Sequence, residues 1–334
     1  MYKRQDEIIA FVSTLVDKGF AYVSEGDVYF RVAKSNNYAK LANKTLEDLE
    51  IGASGRTDAE TERKENPLDF ALWKAAKEGE VSWDSPWGPG RPGWHIECSV
   101  MATEILGGTI DIHGGGADLE FPHHTNEIAQ SEAKTGKTFA NYWMHNGFVN
   151  VDNEKMSKSL GNFVTVHDML QTVDGQVLRF FLATQQYRKP INFTEKAIHD
   201  AEVNLKYLKN THSLPLTEQV NQAELQTYLD AFQEAMDDDF NTANGVTVLF
   251  DMAKWINSGN YDQTVKDAFE KMLQVFGIVF EEEVLDEDIE KLIEERQAAR
   301  ANKDFATADR IRDELAAQGI KLLDTKEGVR WTRD

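Results

Sequence analysis

Three short runs decide how this chain reads: Gly93-Trp-His-Ile-Glu-Cys98, Asp111-Ile-His-Gly-Gly-Gly-Ala-Asp-Leu-Glu-Phe-Pro-His-His-Thr-Asn-Glu127 and Glu154-Lys-Met-Ser-Lys-Ser-Leu-Gly-Asn162. They hold the only cysteine of the chain and four of its eight histidines, and with His145 between them five histidines, His95, His113, His123, His124 and His145, lie within about fifty residues of one another. Clustering of that kind is what a metal or catalytic site needs.

Cys98 has no partner for an internal disulfide, and a soft thiolate near imidazoles and carboxylates suits Zn²⁺. Glu127 follows His123 by four residues in a segment that reads as the first turns of a helix after Pro122. An i, i+4 pair projects from one helical face, so the two side chains can converge on one ion, provided that a separate element brings Cys98 to them. Three protein ligands leave a tetrahedral zinc one position short. Either an exchangeable ligand or a further protein ligand completes it. Trp94 and His95, beside the thiol, are candidates for shaping a substrate pocket.

The run Lys155-Met-Ser-Lys-Ser159 follows an apolar stretch, 147–151, that reads as a strand. Two lysines on a loop after a strand can close over a triphosphate and neutralise charge as it is attacked. Gly114-Gly-Gly116 follows an expected strand at 109–113 and reads as a turn where backbone approaches a flat ligand.

Outward from this block, residues 1–22 carry apolar residues at helical spacing and 27–32 alternate as a strand. Residues 33–65 read as a loop-rich polar insertion, and the Trp/Pro/Gly-dense stretch ending at Pro92 as a packing point. Beyond the lysine loop, 177–183, 195–208, 225–236 and 244–258 have the three- and four-residue apolar spacing of bundled helices. Residues 285–318 read as two helices broken near 302–305, followed by strands at 319–323 and 329–331.

At 334 residues, two or three domains are expected. No apolar run long enough to cross a membrane and no leader segment is seen, so the expected location is cytoplasmic. The net charge of −21 argues against crude attraction to nucleic acid. The charge is uneven, however: from Lys291 to Asp334 ten Lys and Arg face nine Asp and Glu. A nearly neutral tail with interspersed arginines is compatible with RNA binding.

Taken together, the three runs resemble the cysteinyl-tRNA synthetase family of class I aminoacyl-tRNA synthetases, and the resemblance extends over essentially the whole chain. It implies an α/β plus α fold: the second half of a Rossmann-like nucleotide-binding domain with a connective insertion, a helical bundle, and a small mixed α/β domain. The implied boundaries are 1–90 for the first helix and insertion, 91–165 for the half-fold with the zinc site and lysine loop, 166–285 for the stem-contact region and bundle, and 286–334 for an anticodon-binding domain. The resemblance makes Cys98, His123 and Glu127 zinc ligands, with a further cysteine supplied from the start of the nucleotide-binding fold and the substrate thiolate bound to the metal. It makes Lys155 and Lys158 catalytic, and places Gly114, Gly115 and Asp118 with the two lysines about ATP.

The implied substrates are L-cysteine, ATP with Mg²⁺ and tRNA(Cys), with no membrane partner. In the tail, Arg310, Asp324, Arg330 and Trp331 are candidates for reading the anticodon, since exposed Trp and Arg stack on and hydrogen-bond unstacked bases; the alternative is that Trp331 closes a small core. The His-Ile-Gly-His-like signature of class I enzymes is not found. The expectation is a chain lacking the amino-terminal part that carries this motif, and inactive alone. Two other readings remain: a cysteine:amino-sugar ligase using the same adenylate chemistry, and a non-catalytic tRNA-binding paralogue. A purely structural zinc protein would have no use for the lysine loop.

Overall fold

The computed structural model describes residues 4–35, 38–43, 63–157, 160–218, 220–280, 287–325 and 328–333. Most of the insertion expected at 33–65 lies outside these residues. The chain divides into two compact units, one of Met1–Thr211 with Leu216–Ile278 and one of His212–Pro215 with Val279–Asp334.

The first unit begins with helix α1, Gln5–Asp17, whose Ile8, Phe11, Val12 and Leu15 are buried at three- and four-residue spacing. It is shorter than the 1–22 expected, because strand β1 already begins at Ala21. β1 (Ala21–Ser24), β2 (Asp27–Phe30), β3 (Phe70–Ala75) and β4 (Gly90–Pro92) form an antiparallel sheet in chain order. β3 is a strand where no regular element was expected between the insertion and the Trp/Pro/Gly-dense stretch. Leu72 and Trp73 are wholly buried in a core shared with Phe11, Leu15, Val28 and Phe30.

That core also fixes the next two helices. α2, Ile96–Leu106, contributes Ile96 and Val100, and α3, Thr125–Thr135, contributes Ala129. β5, Ile110–Gly116, runs parallel to β6, Ala140–Asn146, with α3 in the crossover between them. β5 therefore continues through Gly114, Gly115 and Gly116, each paired with β6, so the glycine run is strand rather than turn.

β7 (Val149–Val151) pairs parallel with β9 (Ile191–Phe193) and antiparallel with β8 (Glu154–Lys155). Asp152 and Asn153, with φ of 49° and 69°, close the hairpin from β7 to β8; two central residues of positive φ match the twist of the strands. The helices α4 (Val166–Met169), α5 (Gly175–Ala183), α6 (Glu195–His212), α7 (Gln222–Asp237), α8 (Thr242–Asn257) and α9 (Gln263–Val275) follow. Asp174, Asn221, Asn241 and Asp262 cap α5, α7, α8 and α9 by accepting from backbone N–H groups of the first turn.

In the second unit, α10 (Glu287–Ala301) and α11 (Phe305–Ala317) precede the hairpin β10 (Ile320–Thr325) and β11 (Gly328–Arg333). Ile289, Ile293, Ile311, Leu315 and Ile320 form its core, and Trp331 packs half-buried against them. Among the described residues, no helix is long and apolar enough to cross a membrane.

Candidate metal and nucleotide site

Cys98 sits in the first turn of α2, which its neighbours Ile96 and Val100 hold on the sheet core. Glu127 sits in the first turn of α3, and His123 and His124 in the helical turn that leads into it, after an extended Phe121. The helical path thus places His123 Nε2 3.7 Å from Glu127 Oε2, as i, i+4 geometry requires. The donor atoms of Cys98, His123 and Glu127 all lie within 4.8 Å of one another. His113, His124 and Glu127 form a second group by the same measure. His113 Nε2 reaches Glu127 Oε2 at 3.0 Å from β5.

Glu127 is wholly buried, and its Oε1 has no hydrogen-bond partner among the described residues. An ionised carboxylate in that state costs several kcal/mol unless a cation meets it. His123 and His124 do not supply the cation. Burial pushes His123 below its ordinary pKa, with Glu127 opposing, and burial with neighbouring imidazoles pushes His124 down to about 3. The His123–Glu127 and His124–Glu127 contacts are therefore those of neutral imidazoles rather than ion pairs. Burial and the charges of Glu127 and Glu97 push the Cys98 thiol up to about 11. A thiol, the imidazoles of His123 and His124 and a buried carboxylate whose Oε1 has no partner among the described residues form a donor set that a thiophilic divalent cation fits.

A ring of aromatic side chains packs around this set. His95 is buried, with Nδ1 2.9 Å from Nδ1 of His123. Trp94 is 58% exposed, and its ring centroid lies 4.8 Å from those of both His95 and His123. Of the two pocket candidates, Trp94 faces solvent and His95 supports a ligand candidate. His124 Nδ1 lies 2.8 Å from His145 Nε2. Gly115 permits this packing, since a Cβ there would come within 2.9 Å of His124 Cε1.

On the nucleotide side, Lys155 ends β8 in solvent, its Nζ 4.1 Å from the centre of the Phe148 ring. Asn162 holds the loop: Oδ1 accepts from Ser157 N at 2.9 Å and Nδ2 donates to Lys155 O at 3.3 Å. Lys158 and Ser159 lie outside the described residues. Gly114 and Asp118 are exposed, Gly114 in β5 and Asp118 in the short turn Ala117–Leu119 that follows it.

Three family models match the chain in succession: tRNA synthetases class I (C) catalytic domain over residues 2–203, DALR domain over 231–281, and Cysteinyl-tRNA ligase anticodon binding domain over 282–331. A cysteine–tRNA ligase of Streptococcus thermophilus (strain CNRZ 1066) is 95% identical over 329 residues, covering 98% of this chain and 74% of that protein. A cysteine–tRNA ligase of Streptococcus agalactiae serotype III (strain NEM316) is 82% identical over the same share of each. The chain belongs to the cysteine–tRNA ligase family.

The fold agrees with that membership. Mycobacterium tuberculosis methionyl-tRNA synthetase in complex with methionyl-adenylate superposes with a TM-score of 0.54 at 14% identity, covering 83% of this chain and 70% of that one. A putative arginyl-tRNA synthetase of Campylobacter jejuni gives 0.51 at 14% identity, over 84% and 63%. Both show the class I fold alone. As a cysteine–tRNA ligase chain, it places its anticodon-binding match on the second unit, where Arg310 is exposed and pairs with Glu314 at 3.3 Å and Glu295 at 3.9 Å. Asp324 and Arg330 lie on β10 and β11, with side chains outside the described residues.

Sequence reading gave no role to His113, His124 or Gln130. The two histidines belong to the cluster counted from the sequence; His124 meets Glu127 at i, i+3 along the same helical path, whereas the approach of His113 depends on β5 passing beside α3. Gln130 gives no signal in the sequence beyond lying one turn past Glu127.

Proposed function

We propose that this chain carries the amino-acid-selecting and phosphate-neutralising parts of a cytoplasmic cysteine–tRNA ligase that uses Zn²⁺ and acts on L-cysteine, ATP with Mg²⁺, and tRNA(Cys). The observation that carries the reading is the convergence of Cys98, His123 and Glu127 around a buried carboxylate oxygen with no partner among the described residues. These three residues would hold the zinc, which when bound supplies a soft Lewis-acid centre that favours sulfur over a hydroxyl oxygen. An apolar pocket alone separates such near-isosteres by only about 1–3 kcal/mol.

His95 keeps His123 in one orientation through the Nδ1 contact, leaving Nε2 turned toward Glu127. Trp94 presents a flat apolar face over both rings and excludes water from one side of the amino-acid pocket. In the first step an oxygen of the cysteine carboxylate attacks the α-phosphorus of ATP, and the bond to the β-phosphate breaks. Lys155 and Lys158 neutralise the departing pyrophosphate. Gly114 and Gly115 let the adenosine approach the end of β5, with the Asp118 carboxylate accepting from ribose. In the second step the terminal ribose hydroxyl of tRNA attacks the adenylate carbonyl and releases AMP. No protein nucleophile is required. Arg310, Asp324, Arg330 and Trp331 are the proposed anticodon contacts.

The test is cysteine-dependent ATP–pyrophosphate exchange, with serine as control substrate. No His-Ile-Gly-His-like signature occurs in these 334 residues, so they are expected to be inactive alone and active when joined to the remaining portion of a relative. Equal exchange with serine would remove the metal-selection reading. The match to an anticodon-binding model over 282–331 disfavours the cysteine:amino-sugar ligase.

A further inference from the structure

Gln130 is wholly buried on α3, one turn after Glu127, and its side-chain amide bridges to α2. Its Nε2 donates to the backbone oxygen of His95 at 2.7 Å and to Ser99 Oγ at 2.7 Å. Those two residues flank Cys98 in the first turn of α2. Ser99 Oγ in turn donates to the backbone oxygen of Glu127 at 3.4 Å. The same His95 whose carbonyl is gripped by Gln130 holds His123 through its ring, Nδ1 to Nδ1. One amide thus connects with the backbone or side-chain supports of all three metal-binding candidates, which come from two separate helices.

Resting on the metal reading above, we infer that Gln130 is the positioning residue of this site: it sets the spacing between the Cys98 turn of α2 and the Glu127 turn of α3. The arrangement has a geometric rationale. Cys98 and Glu127 are twenty-nine positions apart in sequence, and the apolar contacts of Ile96, Val100 and Ala129 resist sliding of the helices only weakly, because hydrophobic burial is not directional. Two hydrogen bonds from one rigid amide, buried where water cannot replace them, fix both the distance and the rotation. The Gln130 Oε1 has no partner among the described residues, so the amide is buried at a cost that its two donated bonds must offset. Ligand-supporting groups of this kind change metal affinity by roughly 10–100-fold when removed.

Ser131 provides the control. It is the next residue on α3, equally buried, and its Oγ has no hydrogen-bond partner among the described residues. The experiment is a Zn²⁺ competition titration of the 334-residue chain against a chromophoric chelator, with Co²⁺ substitution followed through its thiolate-to-metal charge-transfer band. It compares the unaltered chain, Cys98→Ser, Gln130→Leu, Ser99→Ala and Ser131→Ala. Gln130→Leu is expected to weaken Zn²⁺ binding about 10–100-fold and to shift or weaken the cobalt band. Ser99→Ala is expected to weaken it less, and Ser131→Ala to leave it unchanged. Unchanged affinity in Gln130→Leu, or an equal loss in Ser131→Ala, overturns the inference while the metal reading stands. If Gln130→Leu does not fold, Ser99→Ala decides alone, unchanged affinity there overturning the inference. Metal binding that is absent, or indifferent to Cys98→Ser, removes the metal reading and this inference with it.

Discussion

The cysteine–histidine–glutamate cluster and the Lys155 hairpin lie within about sixty residues of one another in sequence, yet the fold treats them in opposite ways. The cluster is assembled from two helices and a strand on a shared apolar core, its Glu127 is wholly buried, and almost every ring touches another. Lys155 stands in solvent at the end of a two-residue strand, braced from below by Phe148 and Asn162. On the proposed function, the difference follows from the chemistry asked of each. Discrimination between sulfur and oxygen needs donors held at set distances before the substrate arrives, whereas a lysine that neutralises a departing pyrophosphate must remain ionised and free to approach it.

Changing one region at a time gives the sharpest test of that contrast. The largest effect is expected for Cys98→Ser, which should reduce bound zinc from about one equivalent to near zero while leaving the Lys155 hairpin intact; metal analysis after dialysis measures it, and undiminished zinc would remove Cys98 from the site. Next in size, Lys155→Ala placed in an intact enzyme should lower the rate of cysteine-dependent pyrophosphate exchange about 10²–10³-fold without changing zinc content or thermal stability. If zinc content fell as well, the two regions would not be independent.

Gly115→Ala tests the buried side by crowding rather than deletion. Its methyl would stand 2.9 Å from His124 Cε1 and 3.0 Å from Leu119 Cδ1, and such overpacking is expected to destabilise by about 1–3 kcal/mol. Denaturant unfolding of the first unit should show the loss, and an unchanged midpoint would mean that His124 gives way freely.

The smallest effect concerns the base of the hairpin. Gly147 N donates to Tyr187 O at 2.7 Å, and Asp239, between α7 and α8, accepts from Tyr187 OH at 2.8 Å and Arg188 Nε at 2.7 Å. The Arg188 guanidinium first, and the Tyr187 hydroxyl second, hold the Asp239 carboxyl below its ordinary range. A carboxyl depressed on folding adds stability above its unfolded pKa, and loses it as pH falls through that value toward the folded one. Asp239→Asn should therefore cost well under about 1 kcal/mol at neutral pH, because the pair is half exposed, and the difference from the unaltered chain should shrink as pH falls below the ordinary carboxylate range toward the folded pKa. A difference that persisted in acid would show that the loop geometry, rather than the charge, is what Asp239 provides.

Much of this architecture is legible in the sequence because its signals are local. Apolar spacing places α1 and α5 to α8, and the helix–helix–strand–strand order of the second unit follows from the break near Asn302 and from Gly319. α9 lies where no element was expected, although Val265, Ala268, Phe269, Met272 and Leu273 repeat at helical spacing after a capping Asp262. β3 was obscured for a different reason: buried on both faces around Leu72 and Trp73, it lacks the alternation that identifies a half-exposed strand.

By itself the sequence determined the donor chemistry of the site and the i, i+4 pairing of His123 with Glu127, since a helix imposes that neighbourhood on any chain that forms it. Tertiary structure alone decided that Gly114 to Gly116 continue a parallel strand, that His113 joins the same carboxylate, and that Gln130 bridges two helices. Each of those depends on which faces of distant segments pack together. A one-dimensional pattern records the period of a face, but not the surface it meets.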